Sequence, residues 1–157
     1  MSQTSTHNCI YGFTDTETVL VDFDNTSFKT VRYWARRVCK WFKLDGFIIL
    51  KSSERSYHVV FNRRVSWSEN LKIVAWVSLH SHSIGLNRWL VMQCIKQGST
   101  LRVSPKFAKP SPRIVFREGN QNEQIKDFLV HRALIKRIIR KMNSSNCVRI
   151  SSNCVRV

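Results

Sequence analysis

Asp22 and Asp24 stand one residue apart at the end of the apolar run VLVDFDN (19–25). On an extended chain residues i and i+2 project to one face, so the two carboxylates emerge side by side. Like charges that close repel unless a cation lies between them. Carboxylate oxygens at this spacing suit Mg2+ or Mn2+, hard ions that retain waters and take substrate phosphates as further ligands. The competing reading needs no metal: Asp22 is satisfied by local backbone, and Asp24 opens an Asx turn into a helix. His58 lies within SYHVVF (56–61), flanked by residues that point to the opposite face. An imidazole there is either a hydrogen-bonded core group or a contact to a phosphate.

Other candidates carry less chemistry. His80 and His82, with Cys94 as a third ligand, read as a helix end rather than a metal site. Five glycines, none clustered, exclude a phosphate-binding P-loop. The five cysteines contain no CxxC pair and no zinc-finger spacing, and read as reduced thiols. Cys39 and Cys94 are expected inside helices, as small hydrophobes.

Charge narrows the partner. Twenty-six Lys and Arg against ten Asp and Glu leave +16, the balance of a polyanion binder. No acid lies between Lys72 and Arg117, a stretch that still holds Lys72, Arg88, Lys96, Arg102, Lys106, Lys109, Arg113 and Arg117. With 43% apolar residues the chain has material for a core, which excludes a disordered polybasic arm. DNA or RNA is the expected partner, and an anionic membrane surface the competitor. No apolar run approaches the ~20 residues that span a bilayer. MSQTSTHNCIYG lacks the basic start and apolar block of a secretory signal, so a cytoplasmic setting is expected.

These side chains need a scaffold. Residues 17–24 read as a buried strand, and Asn25-Thr26-Ser27 as turn and cap for a helix over 28–44. Phe28, Val31, Ala35, Val38 and Phe42 make its apolar face; Lys29, Arg32, Arg36, Lys40 and Lys43 make a separate basic stripe, expected to contact nucleic acid. Residues 46–51 and 56–61 form an antiparallel hairpin. A helix over 71–79 has Ser66 and Glu69 as its capping box, and a second helix covers 87–97. Strands follow at 99–104 and 112–117, then a helix over 121–142 with Ile125, Phe128, Ile135, Ile139 and Met142 on its core face. The order is that of an α+β fold, a mixed or antiparallel sheet with helices packed on it. Residues 1–16 read as loose, 17–142 as a single domain, and 143–157 as a polar tail that repeats SSNCVR. Of the five tryptophans most belong to the core; Trp34 and Trp41, off the apolar face, are the pair expected to stack on bases.

A strand ending in Asp-x-Asp, a helix, then a hairpin with a serine-rich turn and Tyr-His on its second strand resembles the archaeo-eukaryotic primase superfamily. The residues concerned are VLVDFDN (19–25) and SSERSYHVVF (52–61), and LRVSPK (101–106) is similar to a later basic strand of that family. The resemblance covers about 19–106. It implies an RRM-like primase-type core and a metal-dependent nucleotidyltransferase acting on a nucleoside triphosphate. Asp22 and Asp24 would be the metal ligands, His58 a phosphate contact, and Arg102 and Lys106 contacts to phosphate or template. Two positions depart from the pattern. Ser56 stands where members often place glycine, and no acid occurs from Asn70 to Phe116, where a third carboxylate belongs. DFDNT is also similar to the opening motif of haloacid dehalogenase-like phosphatases, for which Glu123 and Asp127 are the candidate remote acids.

The expected function is thus a nucleic-acid-binding protein with a primase-like site holding Mg2+ or Mn2+, in a viral or plasmid replication setting. A metal-dependent nuclease on the same carboxylates is the enzymatic alternative. A DNA- or RNA-binding protein that keeps the fold without the chemistry is the other.

Overall fold

The computed structural model describes residues 10–152, with side chains as far as 144. In chain order the elements are β1 (Gly12–Asp15), β2 (Thr18–Phe23), α1 (Phe28–Trp41), β3 (Gly46–Ser53), β4 (Ser56–Arg64), α2 (Trp67–Ser81), α3 (Ile84–Lys96), β5 (Ser99–Arg102), β6 (Arg113–Gly119) and α4 (Gln124–Ser152). The fold is α+β: one antiparallel sheet of order β2-β4-β3-β6 and a two-stranded ribbon of β1 with β5. None of the described helices is long and apolar enough to cross a membrane.

Strand alternation sorts the core into two layers. Val19, Val21 and Phe23 of β2, with Tyr57, Val59 and Phe61 of β4, face α1 and α2, whose Val31, Ala35, Val38, Ile73, Val74 and Val77 cover them. Leu20, Ile48, Leu50 and Val60 face the other way, onto Phe13, Leu101 and Val103 around the ribbon and Ile125 and Phe128 of α4. Asp22 and His58 share the parity of Leu20 and Val60. They therefore belong to the ribbon side of the sheet, away from α1.

The helices start on local signals. The hydroxyls of Ser27, Ser66 and Ser83 accept from the N–H groups of Thr30, Glu69 and Leu86. α1 stops at Trp41 rather than at 44, because Lys43 turns left-handed (φ +54°) and delivers Leu44 to the core. Gly46 pairs with Gly119, and a side chain at Gly46 would overlap the Asn120 carbonyl. That close crossing lets β6 join the sheet.

Four expectations change. Residues 12–15 are not loose: they pair with β5, placing Gly12 opposite Arg102 and Asp15 opposite Ser99. α4 runs on through Ser152, so 143–152 is helix rather than tail; residues 153–157 of the second heptad lie outside the described residues. The core face of α4 also ends early. Ile125 and Phe128 are buried, but Met142 is exposed, because the apolar layer the helix covers extends only along its first turns. Cys94 likewise faces solvent, whereas Cys39 is half-buried; both are free thiols.

Candidate functional site

The antiparallel register of β2 and β4 sets Asp22 directly opposite His58. His58 is buried, Asp22 is 23% exposed, and Nε2 lies 3.6 Å from Oδ1, too far for a hydrogen bond. Burial, helped by the positive Arg102, lowers the imidazole to about 3, so His58 is neutral at pH 7 and forms no ion pair. Burial, helped by the charge of Asp24, pushes the Asp22 carboxyl up to about 7, with Arg102 and Lys109 pulling against the shift. Asp22 Oδ1 is buried and accepts no hydrogen bond. An unpartnered buried carboxylate oxygen is costly.

Asp24 follows the last residue of β2. The Thr26 hydroxyl donates to the Asp24 carbonyl at 2.9 Å, and the Thr26 N–H donates to the Arg55 carbonyl at 2.8 Å, pinning the segment to the β3-β4 turn. The α1 cap is Ser27, so Asp24 does not itself open the helix. The first turn of α3 lies against Asp24: a Cβ at Gly85 would stand 3.2 Å from the Asp24 Cβ.

Around these groups the structure opens a cavity of about 740 Å3. Asp22, Asp24 and His58 line it, and so do Arg88 and Lys96 of α3, Arg102 of β5, and Lys106 and Lys109 of the following loop. Five of the eight bases in the acid-free stretch thus converge on one place. Arg102 is held there by three backbone carbonyls: Ser52 at 2.9 Å, Pro110 at 3.0 Å, and Ser104. Lys106 and Lys109 exchange backbone hydrogen bonds, both 2.9 Å, in a tight turn that presents the two side chains together. Ser52, Ser53 and Ser56 of the hairpin complete the wall.

The sequence-derived candidates therefore divide. Asp22, Asp24, His58, Arg102 and Lys106 come together. Lys29, Arg32, Arg36, Lys40 and Lys43 do not: α1 covers the opposite face of the sheet, and its basic stripe looks away from the cavity. Arg36 is also bound to Glu118 through both carboxylate oxygens, the shortest approach being 2.7 Å. Arg32 and Arg36 lie over the Phe116 ring at 5.6 and 5.8 Å. Arg88, Lys96 and Lys109 were visible only as members of the acid-free stretch; their convergence needed the placement of α3 and the 106–109 turn.

Asp22 and Asp24 are the acids of this cavity, and among the described residues no group of three Asp, Glu, His or Cys side chains could hold a metal ion. Asp127 lies elsewhere, in a second cavity of about 420 Å3 with Asp15 and Glu17, so it cannot serve Asp22 as the phosphatase motif would require. His82 is the left-handed cap of α2 and His80 stacks on Trp76, as befits a helix end. Comparison of the chain with protein-family models, curated proteins and solved structures gives no match.

Proposed function

We propose that the chain is an intracellular nucleic-acid-binding protein with a primase-like, metal-dependent nucleotidyltransferase site built on Asp22, Asp24 and His58. The observation that carries this reading is the buried, unpartnered Oδ1 of Asp22 beside Asp24, in a cavity where five bases converge. Its volume falls within the roughly 300–1,000 Å3 usual for small-molecule sites. The two aspartates would hold a hard divalent ion, which would supply positive charge to a triphosphate. Lys106, Lys109, Arg88 and Lys96 would bind phosphate oxygens. Arg102, immobilised by carbonyls, gives a preorganised positive field that needs no rearrangement as charge develops. Neutral His58 can hydrogen-bond a phosphate without adding charge to the sheet. Support for an RRM-like half comes from the path β2-α1-β3-β4-α2, with β4 between β2 and β3 and β5 beside β2.

One observation favours a second reading. With no third acid among the described residues beside Asp22 and Asp24, full two-metal phosphoryl transfer lacks a ligand. A protein that binds nucleotide or strand without turnover satisfies the same geometry. Incubation with labelled nucleotides, a single-stranded template and Mg2+ or Mn2+ separates the classes. Extension by wild type, abolished in Asp22→Asn and Asp24→Asn, is the expected result. Strand cleavage abolished in the same variants identifies a nuclease instead. Metal-dependent thermal stabilisation with neither activity identifies a binder, and no melting response to either ion overturns the metal reading.

A further inference from the structure

On the far side of the sheet from the cavity, α1 and α2 carry a second constellation. Trp41 is 68% exposed at the end of α1, and Tyr33 is 51% exposed two turns earlier. Trp76 of α2 is the hub. Trp41 lies nearly parallel to it, with centroids 6.1 Å apart and planes 17° from parallel, and His80 stacks on it at 4.1 Å. Trp34 meets Trp76 edge-on at 6.2 Å. Among the described residues Trp41, Trp76, Arg37 and Lys40 line a cavity of about 500 Å3. Arg37 is held over the Tyr33 and Trp34 rings, at 5.6 and 6.0 Å, and bonded to the Tyr33 hydroxyl at 2.9 Å. α1 carries no acid.

We infer that this surface is a single-strand-binding platform, on which a nucleobase stacks against Trp41 and Trp76 while Arg37 and Lys40 contact its phosphates. An exposed indole is wasted on water, whereas any base offers it a π-face. Cations fixed within reach of such rings match the alternation of base and phosphate along a strand, and nothing acidic on α1 opposes them. An anionic membrane would meet the same charge. It favours an aliphatic contact surface, however, and the described walls of this cavity are two indoles and two cations. Only the ligand class rests on the reading of the chain as a nucleic-acid binder; nothing is asked of Asp22, Asp24 or His58.

The test is a titration of the full chain with (dT)12 in EDTA, without nucleotide, so that failure of the cavity reading cannot affect it. A (dT)12 of which every base is removed serves as control, with vesicles of anionic lipid beside it. Wild type should prefer the base-bearing strand. Trp41→Ala should weaken its binding about tenfold, as removal of one stacked base implies, and abolish the preference over the abasic strand. Trp41→Phe should retain most of both. Trp41 is largely exposed, so the variants should melt as wild type does. Arg37→Ala with Lys40→Ala should flatten the log–log salt dependence by ~0.7 for each phosphate left without a cation. If Trp41→Ala discriminates the two strands as well as wild type, the platform is refuted. Vesicle binding that depends on Trp41 while strand binding does not would refute it in favour of a lipid surface.

Discussion

At the scale of single residues, Asp22 and His58 pull stability in opposite directions as pH changes. The Asp22 carboxyl is raised from 3.8 to about 7, so between those values the folded chain holds more protons than the unfolded one. Its contribution is present below pH 3.8 and is lost as pH rises through 7. His58 is lowered from 6.5 to about 3, so its contribution is present above pH 6.5 and is lost as pH falls through 3. Between about pH 4 and 6.5 the two slopes oppose each other, and these groups together leave stability nearly flat. Asp22→Asn removes one of them. Denaturant unfolding of that variant should then show stability climbing with pH across the window, at up to about 1.4 kcal/mol per unit. A variant as flat as wild type would show that the pair is not titrating as the structure requires. An ion held at Asp22 must also displace its proton, so Mg2+ or Mn2+ affinity should rise with pH and level off above about 7.

At the scale of elements, what could be read in advance was what is local. VLVDFD is an apolar, β-branched run long enough to read as a buried strand, and the hairpin followed from two short apolar runs and a short turn. Ser66 and Glu69 announced the start of α2 three residues apart, and the Ser66 hydroxyl accepts from the Glu69 N–H as that spacing implies. The Glu69 carboxylate binds Arg63 instead of closing the box. The failures come from long-range partners. β1 is four residues long and exists because β5 completes it. α4 begins at Gln124, not 121, because the N–H groups of Glu123 and Ile125 donate to the side chain of Asn62, buried on β4. No spacing in the chain reveals a cap supplied from 61 residues away. The basic stripe of α1 was likewise legible as a stripe, but which side of the sheet it would occupy was not. Asn62→Ala should cost about 1–3 kcal/mol by leaving those donors unpaired. Hydrogen exchange should place the loss in the first turn of α4, sparing α1, whose cap is its own.

At the scale of the whole molecule, part of the net charge of +16 gathers at two places on opposite sides of the sheet. The cavity gathers Arg88, Lys96, Arg102, Lys106 and Lys109, while α1 offers Lys29, Arg37 and Lys40 on the other side of the sheet. Strand binding should therefore lose its salt sensitivity in separable steps. Lys106→Ala with Lys109→Ala, and Lys29→Ala with Lys40→Ala, should each reduce the log–log slope, and the reductions should add because the sites share no partner. Arg36→Ala should leave the slope unchanged, since Glu118 already holds its guanidinium. A reduction at Arg36 equal to that at Lys106 would mean that the strand displaces Glu118.

The ribbon of β1 and β5 bears on the order in which the molecule assembles. Thr14 and Thr100, bonded across it at 2.9 Å, are 86 residues apart, whereas the β3-β4 hairpin closes over a two-residue turn. Closing the larger loop costs more chain entropy, so the hairpin and its neighbours should become protected first and the ribbon last. Arg102 stands on β5, so the cavity is the last part of the fold to be completed. Pulse-labelled amide exchange during refolding should find β3 and β4 protected while β1 and β5 still exchange. Nucleotide binding should recover with the slower set, and the tryptophan fluorescence of α1 and α2 with the faster. On the proposed function, a partly refolded population would hold nucleic acid on its outer helices before it had a finished place for a triphosphate.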